Sequence, residues 1–336
     1  VGQYRSVAIG TDGLPLISYY DITSGDLNVA HCDDLPCTRS SRTKLDAAAD
    51  VGQYSSLAIG ADRLGLISYY DVTNGDLKVA HCDDVACSSA TVTTLDSAGD
   101  VGQHTSVAIG ADGLGLISYT EAPPGDLKVA HCTNADCTGA TITTLDTSCE
   151  FSSVAIGGDG LGLIAYHDAA DGDFIVAHCG DTVCSSATIS RVETSPVSYR
   201  PIGLYPSLAI GTDGFGIVSY YDRGLLNVAH CTDAACTGPL AEILDLDAVS
   251  LSWTSLAIGA DGRPRIVYLD ADGDIRSARC IDTTCSGASL TTVMKSANSV
   301  APRSLAVGPD SRGIVSYYEA DFFGGDLKAA LLPLGL

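Results

Sequence analysis

Short runs of apolar and β-branched residues alternate with turns rich in aspartate and glycine along the whole chain. In the first part, Ser6–Gly10 leads through an aspartate-glycine turn into Leu14–Tyr20, and Leu27–Cys32 follows after a second turn. A more polar run near Ser41–Leu45 comes last. No stretch has a sustained helical period. The pattern predicts a unit of four antiparallel strands joined by tight turns.

The unit recurs seven times with a spacing of 47 to 54 residues. Each copy begins with a serine, a branched residue, alanine, another branched residue and glycine: Ser6–Gly10, Ser56–Gly60, Ser106–Gly110, Ser153–Gly157, Ser207–Gly211, Ser255–Gly259 and Ser304–Gly308. Such a period predicts an all-β, seven-bladed β-propeller of four-stranded antiparallel blades. A linear β-solenoid is the alternative, although its coils are usually shorter. We expect one domain, residues 1–336, with approximate repeats 1–50, 51–100, 101–147, 148–201, 202–249, 250–298 and 299–336.

The first run of each copy suits the innermost strand, because its small residues share one face and fit the crowded axis. The polar fourth run suits an outer edge. The last copy has no fourth run, so the seventh blade is predicted to lack its outer strand and to leave an open edge at Leu327, Ala329, Leu331 and Leu332. An open edge is a template for strand addition.

The strings SVAIGTDGLPLISYYD and GDLNVAHC resemble a repeat family of bacterial secreted and surface proteins. The resemblance covers almost the whole chain and implies propeller blades, an extracellular location and scaffold-like binding. It names no ligand. The repeat signatures of Kelch and WD40 proteins and the aspartate box of sialidases are absent from the sequence.

Twelve of the thirteen cysteines form six pairs with one spacing. The predicted disulfides are Cys32–Cys37, Cys82–Cys87, Cys132–Cys137, Cys179–Cys184, Cys231–Cys236 and Cys280–Cys285. Such bridges persist in oxidising compartments, which favours a secreted or cell-surface protein. Zinc is the weaker alternative, because a histidine precedes the first cysteine in five pairs but adjacent strand residues point to opposite faces. Cys149 is either a buried thiol or available for pairing between chains.

An aromatic residue stands two positions before the repeat serine in six copies: Tyr4, Tyr54, His104, Phe151, Tyr205 and Trp253. The topology predicts that these rings surround the upper mouth of the channel, where they could stack on a sugar. Packing between blades is the alternative role.

The turn after each second strand is acidic and lies on the same upper face. Its carboxylates are candidate calcium ligands, above all Asp270, Asp272 and Asp274, and also Asp168, Asp171 and Asp173. Ordinary turn chemistry also explains them. Calcium is the one cofactor that we consider.

The formal net charge of −23 repels phosphate backbones and anionic lipid surfaces, so nucleic acid is a poor partner. The sequence has neither an apolar run long enough to span a bilayer nor a leader of basic and then apolar residues, so we expect no membrane insertion.

The departures from the repeat supply no complete catalytic set, and paired carboxylates that recur in nearly every blade argue for a structural role. We therefore expect no enzyme but a non-catalytic extracellular binding or adhesion module, lectin-like or protein-binding, with a glycan or protein ligand. The first alternative is a structural subunit that joins copies of itself by strand addition at the last blade. The second is a glycan-active enzyme.

Overall fold

The repeated runs form strands throughout the part of the chain that the structure describes. This computed structural model describes residues 2–122, 124–194, 201–222, 224–246, 253–295, 300–308, 312–321 and 324–332. The strands nearest the axis are β1 (Gln3–Ile9), β5 (Val51–Ile59), β9 (Val101–Ile109), β16 (Ile202–Ile210), β20 (Ser255–Ile258) and β24 (Val300–Val307). Within these residues no helix is long and apolar enough to cross a membrane.

The second strands are β2 (Pro15–Asp21), β6 (Gly65–Asp71), β10 (Gly115–Glu121), β13 (Gly162–Asp168), β17 (Gly216–Asp222), β21 (Pro264–Leu269) and β25 (Gly313–Asp321). The third strands are β3 (Asp26–Cys32), β7 (Asp76–Cys82), β11 (Gly125–Cys132), β14 (Asp173–Cys179), β18 (Leu225–His230), β22 (Ile275–Cys280) and β26 (Gly324–Leu331). The fourth strands are β4 (Ser40–Asp46), β8 (Ala90–Asp96), β15 (Ala187–Glu193), β19 (Leu240–Asp245) and β23 (Ala288–Met294). Neighbouring strands pair antiparallel in chain order, as predicted.

Blades three and four share one strand, β12 (Ala140–Ile156), which is the outer strand of one blade and the inner strand of the next. The predicted repeat boundary at residue 147 falls inside it. Cys149 lies on this shared strand and is a buried free thiol, whose pKa burial raises. Because the thiol is buried, the expected alternative of pairing between chains is not available in this fold.

The repeat serine joins each blade to the next around the axis. Its hydroxyl accepts a hydrogen bond of 2.8 to 3.1 Å from the backbone amide that follows the serine of the next blade. The bond from Val7 to Ser304 joins the first blade to the seventh. Seven such bonds close the ring, and the fold is a seven-bladed β-propeller.

The hydrophobic core lies between neighbouring blades. Leu16 and Val29 of the first blade, for example, pack in one cluster with Ile67 and Tyr69 of the second. The tyrosine that occurs in every copy is buried in all seven, so this position belongs to the core: Tyr19, Tyr69, Tyr119, Tyr166, Tyr220, Tyr268 and Tyr317. The second strands are buried on both faces because the core lies between each blade and its neighbours.

All six predicted disulfides are present, with Cα atoms 4.6 to 4.9 Å apart. They place the protein in an oxidising compartment. Within the described residues the seventh blade is a sheet of three strands, β24, β25 and β26. The edge residues Leu327, Ala329 and Leu331 pack against the first blade, and Leu332 is buried.

Candidate functional site

Five of the predicted aromatic residues share an unusual backbone conformation. Their φ angles lie between 49° and 55°, in the left-handed region that bulky residues rarely adopt: Tyr4, Tyr54, His104, Phe151 and Tyr205. A register shift precedes the repeat serine, as between Gln53 and Ser56. The bulge turns the aromatic carbonyl toward the next blade, where the Ser55 hydroxyl donates to Tyr4 and the Ser152 hydroxyl donates to His104.

The aromatic rings contact one another at the upper mouth of the axial channel. Ring centroids of consecutive blades are 4.3 to 4.9 Å apart, from Tyr4 round to Trp253. His104 and Trp253, which are not consecutive, are 6.0 Å apart. The structure therefore brings the six predicted residues together as one aromatic mouth, and five of them keep part of their surface exposed.

A cavity of about 160 Å³ lies at this mouth. Tyr4, Tyr54, His104 and Trp253 belong to its wall, and serine and threonine residues from successive blades line most of the rest. None of the described residues that line it is an aspartate or a glutamate. The wall can therefore stack on a sugar ring and exchange hydrogen bonds with hydroxyl groups.

Arg5 is the one arginine or lysine among the described residues that line this cavity. The equivalent position is a small hydroxyl residue in four copies, Ser55, Thr105, Ser152 and Thr254, and is Pro206 and Arg303 in the fifth and seventh. Arg5 is 3% exposed, lines the cavity and donates to the Gly2 carbonyl. A guanidinium can bind a carboxylate through paired hydrogen bonds. Arg5 was not predicted from the sequence, although an arginine in place of the serine or threonine of four other copies was a visible signal.

The lower face carries a different set of contacts. In five blades the histidine before the first cysteine lies 2.7 to 2.8 Å from the aspartate of the first hairpin: His31–Asp12, His81–Asp62, His131–Asp112, His178–Asp159 and His230–Asp213. In the sixth blade Arg279 replaces the histidine and contacts Asp261 at 2.9 Å. The cysteines that follow these five histidines are paired in disulfides and are not free thiolates.

The acidic turns that were predicted to bind calcium use their carboxylates in local contacts. Asp270 accepts hydrogen bonds from the amides of Asp272 and Asp274. Asp168 accepts one from the amide of Ala170.

The other two candidate ligands in the fourth blade, Asp171 and Asp173, form ion pairs with Arg191. Across the described ranges, the one group of three ligand side chains within 4.8 Å is Asp62, His81 and Asp136, on the lower face. Calcium binding at the turns stays a prediction.

No protein-family model and no curated protein sequence matches the chain. Solved structures do match it over nearly its whole length. An ulvan lyase from a new family of polysaccharide lyases has a TM-score of 0.65 and 11% identity, over 99% of this chain and 95% of that one. Hydrazine synthase from Kuenenia stuttgartiensis has a TM-score of 0.66 and 11% identity, over 98% and 96%.

The periplasmic gluconolactonase of Pseudomonas aeruginosa has a TM-score of 0.60 and 15% identity, over 98% of this chain and 95% of that one. At these identities the likeness establishes the propeller fold. It also corrects the expectation of a non-catalytic binding or adhesion module, because structural neighbours include polysaccharide lyases and gluconolactonases. The glycan-active enzyme, weighed second among the alternatives, fits these neighbours better.

Proposed function

We propose that the chain is a glycan-active enzyme, a lyase that cleaves an acidic polysaccharide at the aromatic mouth of its channel. The observation that carries the proposal is the composition of the cavity wall, in which aromatic rings, hydroxyls, His104 and the buried Arg5 meet. Two of the structural neighbours are named as polysaccharide lyases, which supports the choice of a glycan as substrate.

The charged groups of the cavity favour elimination over hydrolysis. Glycoside hydrolysis ordinarily uses two carboxylates on either side of the scissile bond, and the described part of the wall supplies none. Elimination from a uronate sugar needs a group that neutralises the uronate carboxylate and a base that removes the adjacent proton. Arg5 has the chemistry of the first group, and His104 has that of the second.

The proposed step balances without a cofactor. Arg5 binds the uronate carboxylate, and the neutral His104 imidazole takes the proton from C5. The electrons of that C–H bond form a double bond between C4 and C5, and the bond from C4 to the glycosidic oxygen breaks. A hydroxyl group of the wall donates a proton to the departing oxygen, and Tyr54, whose ring centroid lies 4.4 Å from that of His104, has a phenol suited to this role.

The proposal extends to the setting of the enzyme. A secreted or surface-displayed lyase meets polysaccharides outside the cell, and the six disulfides support such a location. Membership of the bacterial repeat family that the sequence resembles is part of the same proposal.

The test uses the full chain with ulvan, alginate and pectate as substrates. Elimination produces an unsaturated uronate that absorbs ultraviolet light, whereas hydrolysis produces reducing ends without that absorbance. Arg5→Ser gives the first blade the residue that the second blade has at Ser55, so the variant is expected to fold and to lose the reaction. Reducing ends without absorbance, or no product from any uronate polymer, would overturn the proposal.

A further inference from the structure

The disulfide loop of the third blade, on the lower face, carries a charge that the other loops lack at the same position. The residue before the second cysteine is uncharged in five loops and an acid in the third: Pro36, Ala86, Asp136, Val183, Ala235 and Thr284. The shared requirements of the loop do not explain this acid, because the other five loops close without one.

Asp136 lies beside the histidine of the preceding blade. Its Oδ1 atom is 3.8 Å from Nδ1 of His81, which belongs to the second blade. His81 is 6% exposed, whereas the Asp136 side chain is 65% exposed. Because Asp136 is so exposed, an ion can reach the space between the two atoms from solvent.

Asp62 holds the other side of the same imidazole ring. Its Oδ2 atom is 2.7 Å from Nε2 of His81, and its Oδ1 atom accepts a hydrogen bond of 3.1 Å from the amide of Leu64. A carboxylate accepts hydrogen bonds and donates none, so Nε2 carries the proton. In the neutral ring, the lone pair is then on Nδ1, the nitrogen that faces Asp136.

Nδ1 of His81 and Oδ1 of Asp136 are therefore two electron-pair donors that face each other. Nδ1 forms no hydrogen bond with any residue that the structure describes. Zinc binds imidazole nitrogen and carboxylate oxygen at about 2.0 to 2.2 Å, so two such ligands at the tetrahedral angle are about 3.4 Å apart. The exposed Asp136 side chain needs to move by only a few tenths of an ångström to reach that spacing.

The contact with Asp62 is the one that zinc-binding histidines usually make. Such a histidine donates its other ring N–H to a carboxylate, which fixes the ring and makes the ligand nitrogen more basic. Five blades have this pair of histidine and aspartate, but at the next junction, where His131 pairs with Asp112, the residue aligned with Asp136 is Val183. The net charge of −23 also attracts cations.

We propose that the lower face binds one zinc ion between the second and third blades, with His81 Nδ1 and Asp136 as its protein ligands and water in the other positions. Asp62 is a positioning residue that holds the imidazole. An imidazole ligand favours zinc over calcium and magnesium, which prefer oxygen. The ion joins two neighbouring blades and stabilises the folded chain. This site is separate from the channel mouth and does not depend on the proposed lyase activity.

The test uses the full chain without a histidine tag, stripped of metal with EDTA and dialysed. Zinc chloride is titrated in competition with a fluorescent zinc chelator, in excess calcium, and we expect one saturable site. Asp136→Ala gives the third blade the residue found at Ala86 and Ala235, so the variant should fold, and it should lose this site.

The positioning role of Asp62 has its own matched pair of variants. Asp62→Asn should weaken zinc binding by about tenfold or more, because the carboxylate that orients the ligand is lost. Asp112→Asn makes the same change in the third blade, whose histidine has no facing acid, and should leave the zinc affinity unchanged. Nitrogen-15 NMR should show zinc on Nδ1 of His81 and a proton kept on Nε2.

Four results would overturn the proposal: no saturable zinc binding, equal affinity of the wild type and Asp136→Ala, displacement of zinc by excess calcium, or equal weakening by Asp62→Asn and Asp112→Asn. A proton on both nitrogens of His81 in the presence of zinc would assign the contact with Asp136 to an ion pair instead.

Discussion

The upper and lower ends of the same blades differ in how uniform their contacts are from one blade to the next. At the lower end, five blades make the same contact between a histidine and a hairpin aspartate, at 2.7 to 2.8 Å. At the upper end, six blades supply four kinds of aromatic residue at one position, five of them with positive φ. The lower contacts are uniform, and the upper ones differ from blade to blade.

This difference suits the lower end to a role in stability and the upper end to a role in chemistry. A contact that is repeated within five blades contributes to the stability of each of those blades in the same way, as expected for the units of a repeat protein. A reaction needs different groups at one point, and strained backbone is concentrated at functional sites. Arg5 and His104 are departures from the repeat at the upper end, and both line the cavity.

The largest expected effect comes from making the upper mouth uniform. His104→Tyr gives the third blade the residue found at Tyr4 and Tyr54, so the fold should be kept. Because the proposed base is removed, kcat on a uronate polymer should fall by about 100-fold or more. The rate of formation of unsaturated product, measured at saturating substrate, tests this expectation.

The matched change at the lower end is His81→Leu, which removes the hydrogen bond with Asp62. It should lower the melting temperature and leave kcat within a small factor of the wild type. If His104→Tyr and His81→Leu reduced kcat equally, the distinction between the two ends would be wrong.

The next effect concerns the cysteine loops of the lower end. Replacing Cys82 and Cys87 by serine opens one short loop, and the chain-entropy estimate gives a loss of about 2 kcal/mol in the free energy of unfolding. Urea unfolding of the variant and the wild type measures the loss, and turnover at the upper mouth should be unchanged. A variant as stable as the wild type would contradict the structural role of the loop.

A smaller effect is expected from the serine ring that lies between the two ends. Ser56→Ala removes the acceptor for the amide of Val107, at 3.1 Å, and should cost about 1 kcal/mol of unfolding free energy. Ser97→Ala, at an exposed serine, is the matched control and should change the free energy little. Equal stability of the two variants would show that the serine bonds do not hold the blades together.

The smallest effect is a pH dependence at the lower end. Burial acts to raise the pKa of Asp159, but hydrogen bonds from the Leu161 amide and the His178 ring outweigh it and leave the pKa lowered. The contribution of this carboxylate to stability is therefore complete above about pH 4, its unfolded value, and is lost as the pH falls through the folded pKa. Asp159→Asn should make the melting temperature less sensitive to acid, and an unchanged acid sensitivity would contradict the assignment.

Much of the fold was predictable because each unit is local in sequence. Strand runs, turns, cysteine pairs and the core tyrosine recur with nearly one spacing, so each copy of the repeat predicts the same local structure. The candidate site was predictable only in part. The aromatic position repeats and was found, whereas Arg5 occupies a position that is serine or threonine in four other copies and was missed. The shared strand β12 was also missed, because the shorter interval between the third and fourth copies does not show that two strands merge.

By itself, the sequence determined the number of blades, the order of their strands and the six disulfides, because these depend on contacts within one unit of about fifty residues. Only the tertiary structure decided which groups meet between units: the serine bond between residues 297 apart in the chain, the clustering of Arg5 with His104, and the contact between the rings of His104 and Trp253. The physical reason is that such contacts depend on how neighbouring blades pack and on closure of the ring. The sequence pattern of a single repeat specifies neither of these.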